Sequence, residues 1–183
     1  MANTRKNEIS TRNKIRFDPT NPCEDDIDIR DIAHALSMMT RANGHFTEFY
    51  SVARHSVNCA LEATARGYSK RVALFCLLHD SAESYIGDMT RPLKMHFQLF
   101  SEYEKKLQKV IFSKYATLDI DDDEKEKVKS VDDSLLYHEF LCYHGDKLFD
   151  FTPEIHIDVK DNSKNISETE KEFLCMYEAL KIK

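Results

Sequence analysis

His79 and Asp80 stand together at the end of the apolar run Val72-Ala-Leu-Phe-Cys-Leu-Leu78, and Ser81-Ala-Glu83-Ser-Tyr-Ile-Gly87-Asp88 follows. A metal-competent imidazole, a carboxylate and a second acid one turn later are thereby carried toward the middle of a fold. An ionised carboxylate delivered there must be paired or coordinated, because desolvating it alone costs on the order of several kcal/mol. Glu83 comes four residues after His79 and three after Asp80, which on a helix places all three on one face.

Two further polar residues sit on stripes that are otherwise apolar. His55 shares its stripe with Val52, Ser56, Cys59, Ala60 and Ala63, and Asp132 shares one with Val128, Val131, Leu135 and Leu136. Each has an ordinary explanation by itself: a lone core histidine is usually satisfied by a hydrogen bond, and a lone aspartate is usually a cap or half of an ion pair. The spacings from 55 to 79 and from 80 to 132 match no short metal motif. Coincidence on converging inner faces is the signal. Two neutral imidazoles and two carboxylates suit one divalent transition ion (Mn, Co, Fe, Ni or Zn) better than an ion that prefers oxygen alone.

The elements that must position these groups are helical. Asp28 is an N-cap for a first helix with Ile29, Ile32, Ala33 and Leu36 on one face, expected to end near Ala42-Asn43-Gly44. A second is expected from about Thr47 to Gly67. A third begins at Ser69 and is apolar all round, the mark of a helix buried by several neighbours. After the loop Asp88-Met-Thr-Arg91-Pro92-Leu-Lys94, a fourth runs from about Met95 to Tyr115 with Phe97, Phe100, Tyr103, Leu107, Val110 and Ile111 together. The acidic run from Asp119 to Glu126 opens a fifth, and Ser167 to Glu170 reads as a capping box opening the last. Residues 1–26 are expected as an irregular arm, residues 27–183 as one domain, and 149–159 as a short β-arm. The fold class is all-α, a bundle of about six or seven helices.

Composition narrows the class further. The chain has 183 residues, four glycines, four prolines and a formal charge of −6, which favours an ordered helical domain and disfavours a duplex nucleic-acid binder. Its five cysteines, Cys23, Cys59, Cys76, Cys142 and Cys175, are scattered with no CxxC pair and read as buried or free thiols of a reducing compartment. The sequence shows neither an apolar signal run at its head nor the roughly 18–20 apolar residues of a membrane span. A cytoplasmic protein is expected.

The order His55, His79-Asp80, Asp132 resembles the H…HD…D signature of the HD-domain metal-dependent phosphohydrolase superfamily. The strings Phe49-Tyr-Ser-Val-Ala-Arg-His55-Ser and Leu78-His-Asp-Ser-Ala-Glu83-Ser-Tyr-Ile-Gly-Asp88-Met-Thr-Arg-Pro-Leu-Lys94 are similar to the branch of bacterial 5′-deoxynucleotidases and phage-type nucleotide phosphohydrolases. HD-x-x-E-x-x-x-G-D followed by a Pro-x-Lys turn is far rarer than the dipeptide alone, and the resemblance runs from about Asp28 to Glu139. It implies an HD fold in which His55, His79, Asp80 and Asp132 hold one divalent ion, Glu83 orients or deprotonates the attacking water, and Asp88 assists at the leaving group or ribose.

The resemblance also gives Arg41 the place of a phosphate-contacting arginine, and Arg91 and Lys94, in the loop beyond Asp88, could meet phosphates too. Arg54, where the family commonly has an acid or amide, counts as a further cation for the substrate, and Tyr50 or Phe49 could stack on a base. His34, His45, His138 and His144 are spare imidazoles. The expected substrate is a deoxynucleoside 5′-monophosphate cleaved to nucleoside and phosphate. The alternatives are a dNTP triphosphohydrolase releasing triphosphate, and a domain that binds nucleotide or a protein partner without turnover. A homo-oligomer, dimer or higher, is expected.

Overall fold

A computed structural model describes residues 7–116, 120–159 and 164–182, so residues 1–6 of the expected arm and Asp119 of the acidic run lie outside the described residues. The described part of the arm is mostly without regular structure but carries a small hairpin. Strand β1 (Ile9–Ser10) pairs antiparallel with β2 (Arg16–Phe17) across a turn in which Lys14 takes a left-handed conformation. Phe17 is fully buried with its ring 4.2 Å from that of Tyr85, and the Asn13 N–H donates to Asp31, so the hairpin is stitched into the domain.

The remaining regular elements are helical: α1 (Ile29–Met38), α2 (Val52–Ala65), α3 (Lys70–Leu78), the single turns α4 (Glu83–Ile86) and α5 (Arg91–Lys94), then α6 (Gln98–Ala116), α7 (Asp122–Tyr143) and α8 (Ile166–Leu180). Short polar side chains start them, at Asp28 and Ser69 as expected, whereas α2 starts at Val52 after Ser51 and not near Thr47, because residues 47–51 return beside Thr40 and Arg41. Asp28, Ser51, Ser69 and Asp121 each accept a backbone N–H of the first turn, and Asp121 with Glu124 forms a capping box. The last helix differs from expectation: its capping box is Asn165 with Glu168, and Glu170 instead pairs with Arg12 and His34.

Helix α3 is the hub. Every residue from Val72 to Leu78 is buried, because α2, α6, α7 and α8 all pack on it. This is the structural meaning of an apolar surface with no polar side. Helix α1 packs on α2, α4 and α8, and the buried faces of α6 and α7 are carried by Leu107 and Ile111 and by Val131 and Leu135. Phe97, expected on the inner face of the fourth long helix, lies before α6 and is half exposed, since that helix begins at Gln98.

Two departures from the expected boundaries shape the site. Helix α1 stops at Met38, because the chain turns extended there, Thr40 bridges to Ser51, and the Arg41 N–H donates to the Tyr50 carbonyl. Ala42, Asn43 and Gly44 then take successive left-handed conformations, the stop signal read in the sequence but a turn later than the helix end. The expected strand at 149–159 is absent. That segment runs as irregular chain along α2 and α7, held where Arg66 donates to the Glu154 carbonyl, the His156 N–H to Glu62, and the Tyr143 hydroxyl to the Val159 carbonyl. Among the described residues no helix is long and apolar enough to cross a membrane.

Candidate metal centre

Helices α2 and α7 and the end of α3 bring four expected ligands to one point. His55 Nε2 lies 3.3 Å from His79 Nε2, 3.2 Å from Asp132 Oδ1 and 3.8 Å from Asp80 Oδ2. His79 Nε2 lies 3.3 Å from Asp80 Oδ2 and 3.8 Å from Asp132 Oδ1. Donors held about 2.1 Å from one ion sit roughly 3.0 Å apart at a right angle and 3.4 Å apart at the tetrahedral angle, so these separations fit a shared ion with small adjustments.

The second nitrogen of each ring is already committed. His55 Nδ1 lies 2.6 Å from Glu139 Oε1, and His79 Nδ1 lies 2.8 Å from the Cys76 carbonyl oxygen. Donation of both Nδ1–H groups leaves both Nε2 atoms free to coordinate, the arrangement that fixes ligand histidines in metal proteins. Glu139 was not expected as a site residue. It is fully buried, accepts from the Tyr50 hydroxyl at 2.9 Å, and has Arg41 at 3.5 Å from its other oxygen. The sequence does carry a signal for it, since a charged residue seven positions after Asp132 falls on the same face of α7.

The charges of the centre answer one another. Burial and the Arg41 charge work against a proton on His55, yet Glu139 and Asp132 outweigh them and hold its pKa above the ordinary value; Asp80 and Asp132 do the same, more strongly, for His79. Burial would raise the two aspartates, but the imidazoles hold both carboxyls well below the usual range, with help from Arg41 at Asp80. Glu83 is the opposite case. It is buried, one of its oxygens has no hydrogen-bond partner, and burial together with the negative charges of Asp80 and Asp88 pushes it up to about 10.

A cleft of about 420 Å³ opens over the centre, lined by Arg41, Asp80, Glu83, Asp88, Lys94 and Asp132 among others. Glu83 reaches it by a different route from a shared helix face. Helix α3 ends at Leu78, His79 caps it, and tight turns through Ser81 and Ala82 lead into α4. Gly87 then takes φ 83° and ψ 157°, a conformation nearly confined to glycine, and the chain turns so that Asp88 joins the cleft wall. A second, apolar part of the wall is Leu136, Phe140 and Leu148, none of them expected as site residues. Leu136 and Phe140 follow Asp132 at helical spacing, which is the signal that could have found them.

The expected phosphate cations fare unequally. Arg41, in contact with Asp80 and Glu139, lies at the foot of the cleft. Arg91 lines the rim and reaches Asp132 at 3.3 Å and Asp133 at 3.2 Å, while Lys94 is 2.6 Å from Glu104. Arg54 is not a substrate cation: it is buried and directed at α8, where it pairs with Glu172 at 2.7 Å and donates to Thr169. Tyr50 is equally unavailable for stacking, being buried between Glu139, Asn58 and the Tyr143 ring, and Phe49 does not line the cleft. His34, His138 and His144 bond elsewhere, to Glu170, the Pro153 carbonyl and Asp146, and His45 is exposed.

One cysteine is closer to the centre than its sequence context suggested. The donor atoms of His55, Cys59 and His79 lie within 4.8 Å of one another and could hold a metal ion.

Fold and site together define a mostly helical protein with a histidine and carboxylate cluster that could hold a metal at the foot of a cleft with one charged and one apolar wall. Its sequence is 39% identical over 92 residues to the uncharacterised protein YfdR of Escherichia coli strain K12, a match covering 50% of this chain and 49% of that protein. It is 44% identical over 84 residues to the uncharacterised protein RCAP_rcc00048 of Rhodobacter capsulatus, covering 43% of this chain and 42% of that one. The chain thus spans about half the length, or less, of these curated relatives. No family model matches the sequence.

Proposed function

We propose that this chain is a metal-dependent phosphohydrolase of the HD-domain type, acting on a deoxynucleoside 5′-monophosphate to give nucleoside and phosphate. The observation that carries the reading is the meeting of two Nε2 atoms and two carboxylates, from residues far apart in sequence, beneath a cleft that also holds Glu83, Asp88 and Arg41. When bound there, a divalent ion polarises a phosphoryl oxygen and lowers the pKa of a water. His55, His79, Asp80 and Asp132 would hold it.

The chain's own residues supply the rest. Without an ion, burial and the negative charges of Asp80 and Asp88 keep a proton on Glu83; with a divalent ion offsetting Asp80, Glu83 would be the carboxylate placed to orient or deprotonate the attacking water. Arg41 offers a planar fork to the phosphate, with Lys94 and Arg91 on the wall above. Asp88 faces the same space and would meet the leaving oxygen or the sugar. Leu136, Phe140 and Leu148 give the base an apolar surface.

Charge favours a monophosphate. With Arg54 turned away, the cleft has three cations, and Arg41, Arg91 and Lys94 each already face a carboxylate. A triphosphate brings more negative charge than these can balance. The exposed side chains Leu93, Met95, Phe97 and Leu99, which lie within or just after the rim loop in sequence, are where we place a homo-oligomer contact with a second copy of the chain.

The test is metal analysis of the purified protein followed by a panel of dNMPs and dNTPs with added Mn or Co, read by product chromatography. Free phosphate from monophosphates is the expected result. Intact triphosphate would transfer the reading to a dNTP triphosphohydrolase, and tight nucleotide binding without turnover to a sensing module. Equal turnover by Asp80→Ala would remove the centre from the reaction altogether.

A further inference from the structure

We infer that Gln108 is a positioning residue of the metal centre, gripping at both ends the turn that carries His79 and Asp80; this rests on the metal-centre reading above. Its Nε2 donates to the Leu78 carbonyl oxygen at 2.7 Å, and its Oε1 accepts the Ala82 N–H at 3.0 Å. Between those two points lie His79, Asp80 and Ser81. Two of the four expected ligands are therefore carried by a stretch of backbone that one side-chain amide holds at either end.

Both gripped groups need a partner. Leu78 is the last residue of α3, where a helix leaves its carbonyls without an intrahelical bond, and Ala82 is 1% exposed at the entry to α4. Bonds within the turn run from the Ser81 N–H to the Leu78 carbonyl and from the Glu83 N–H to the Asp80 carbonyl, which shape it without tying it to another element. Gln108 ties it to α6. That helix is seated on the core by residues on either side of Gln108: Leu107 and Ile111 are fully buried, and the Phe112 ring meets the Phe75 ring of α3 edge-on at 4.9 Å. Glu104, one turn earlier on the same face of α6, holds Lys94 of the rim loop at 2.6 Å. One face of α6 braces both the ligand turn and the loop above it.

The chemistry singles out an amide. The grip needs a donor and an acceptor side by side, and only one orientation of the glutamine satisfies both neighbours. An ionised carboxylate of the same shape still accepts from Ala82 but sets a negative oxygen against the Leu78 carbonyl, and a methionine offers no donor. Site groups must be held to within about 0.5 Å of their working geometry. Loss of the grip is therefore felt at His79 Nε2 and Asp80 Oδ2, although Gln108 bonds only to the backbone on either side of them.

Two variants of similar size, Gln108→Glu and Gln108→Met, test this, with Glu104→Gln as the control for a general disturbance of α6. Zinc affinity by chelator competition should fall about 10–100-fold in both Gln108 variants, the usual cost of changing what supports a metal ligand, and stay within about twofold in Glu104→Gln. The d–d bands of the cobalt(II)-loaded protein should shift in the first two and not in the third. In metal-free wild type the Ala82 amide, followed by NMR, should exchange slowly with solvent, and faster in both Gln108 variants. Acid supplies a rescue: a protonated carboxyl again offers a donor beside an acceptor, so the stability gap between metal-free Gln108→Glu and wild type should narrow as pH falls, and the gap for Gln108→Met should not.

Zinc affinity and cobalt bands like those of wild type, in a variant whose Ala82 amide exchanges faster, would overturn the positioning role and leave Gln108 a contributor to stability alone. Unchanged amide exchange, or a Gln108→Glu gap that does not narrow in acid, would overturn the grip itself and leave the metal-centre reading standing. Wild-type protein that takes up neither zinc nor cobalt would overturn that reading, and this inference with it.

Discussion

Replacing Glu139 with glutamine keeps the shape of the side chain and removes its charge. In the folded protein Glu139 Oε1 is 2.6 Å from His55 Nδ1 and accepts from the Tyr50 hydroxyl, while Oε2 faces Arg41. An amide cannot satisfy all three neighbours. If its oxygen faces His55, its NH2 meets the Arg41 guanidinium, donor against donor. If its NH2 faces His55, Nδ1 must accept, the imidazole proton moves to Nε2, and the atom that should coordinate is blocked.

Changes to the outer partners of metal ligands cost about 10–100-fold in affinity, or about 1.4–2.8 kcal/mol. Glu139 is fully buried and its hydrogen bond to the ring is short and charge-assisted, so the upper part of that range is expected for Glu139→Gln. Tyr50→Phe removes one donor to the same oxygen and leaves the imidazole bond in place, so its effect should stay below tenfold. The assay is chelator competition for Zn and Co near neutral pH, with circular dichroism to show that each variant is folded. Affinity of folded Glu139→Gln within about twofold of wild type would refute the reasoning and reduce Glu139 to a counterion of Arg41.

Three further outcomes follow from the same structure. Glu83→Gln should lower kcat by about 10²–10⁴-fold, the usual contribution of a general acid–base group, while metal content is unchanged; loss of the metal instead would make Glu83 a ligand. Metal affinity should fall as pH drops. His55 and His79 hold their protons above the ordinary 6.5, so binding must displace them, and chelator competition at several pH values should show proton release continuing above that value. Glu62 is fully buried and bonded to Arg66 and to both the ring and the N–H of His156. Glu62→Ala should cost about 3–5 kcal/mol in chemical denaturation by leaving Arg66 unpaired. Burial opposes ionisation of Glu62, but those bonds outweigh it and hold its carboxyl below the ordinary 4.5, so this stabilisation is present above 4.5 and is lost as pH falls through the lower folded value. A variant as stable as wild type at neutral pH, or as sensitive to acid, would contradict it.

The sequence by itself determined the helices and the polar residues that their inner faces carry. Periodicity and capping are local: Asp28, Ser51 and Ser69 bond their own first turns, and the all-round apolar character of Val72 to Leu78 requires neighbours on every side whatever they are. His55, His79, Asp80 and Asp132 were legible for the same reason, as polar groups on faces that burial would otherwise forbid. What local pattern does not encode is direction in space. Arg54 and His55 are adjacent, yet α2 turns by about 100° per residue, since a turn takes 3.6, and that rotation sends one to Glu172 on α8 and the other to the carboxylates.

Only the tertiary structure decided that Glu139 meets His55 across 84 positions, that Phe140 rather than Tyr50 lines the cleft, and that Cys59 lies against the centre. It also decided the small elements. A two-residue strand is worth little alone, and the hairpin at Ile9 to Phe17 forms because Phe17 has Tyr85 to pack on, whereas the alternating stretch before Val159 finds Glu62 and Arg66 as partners and no strand to pair with. Helix formation is settled by neighbours within a turn; a site is settled by which turns face one another, and that depends on how the whole core packs.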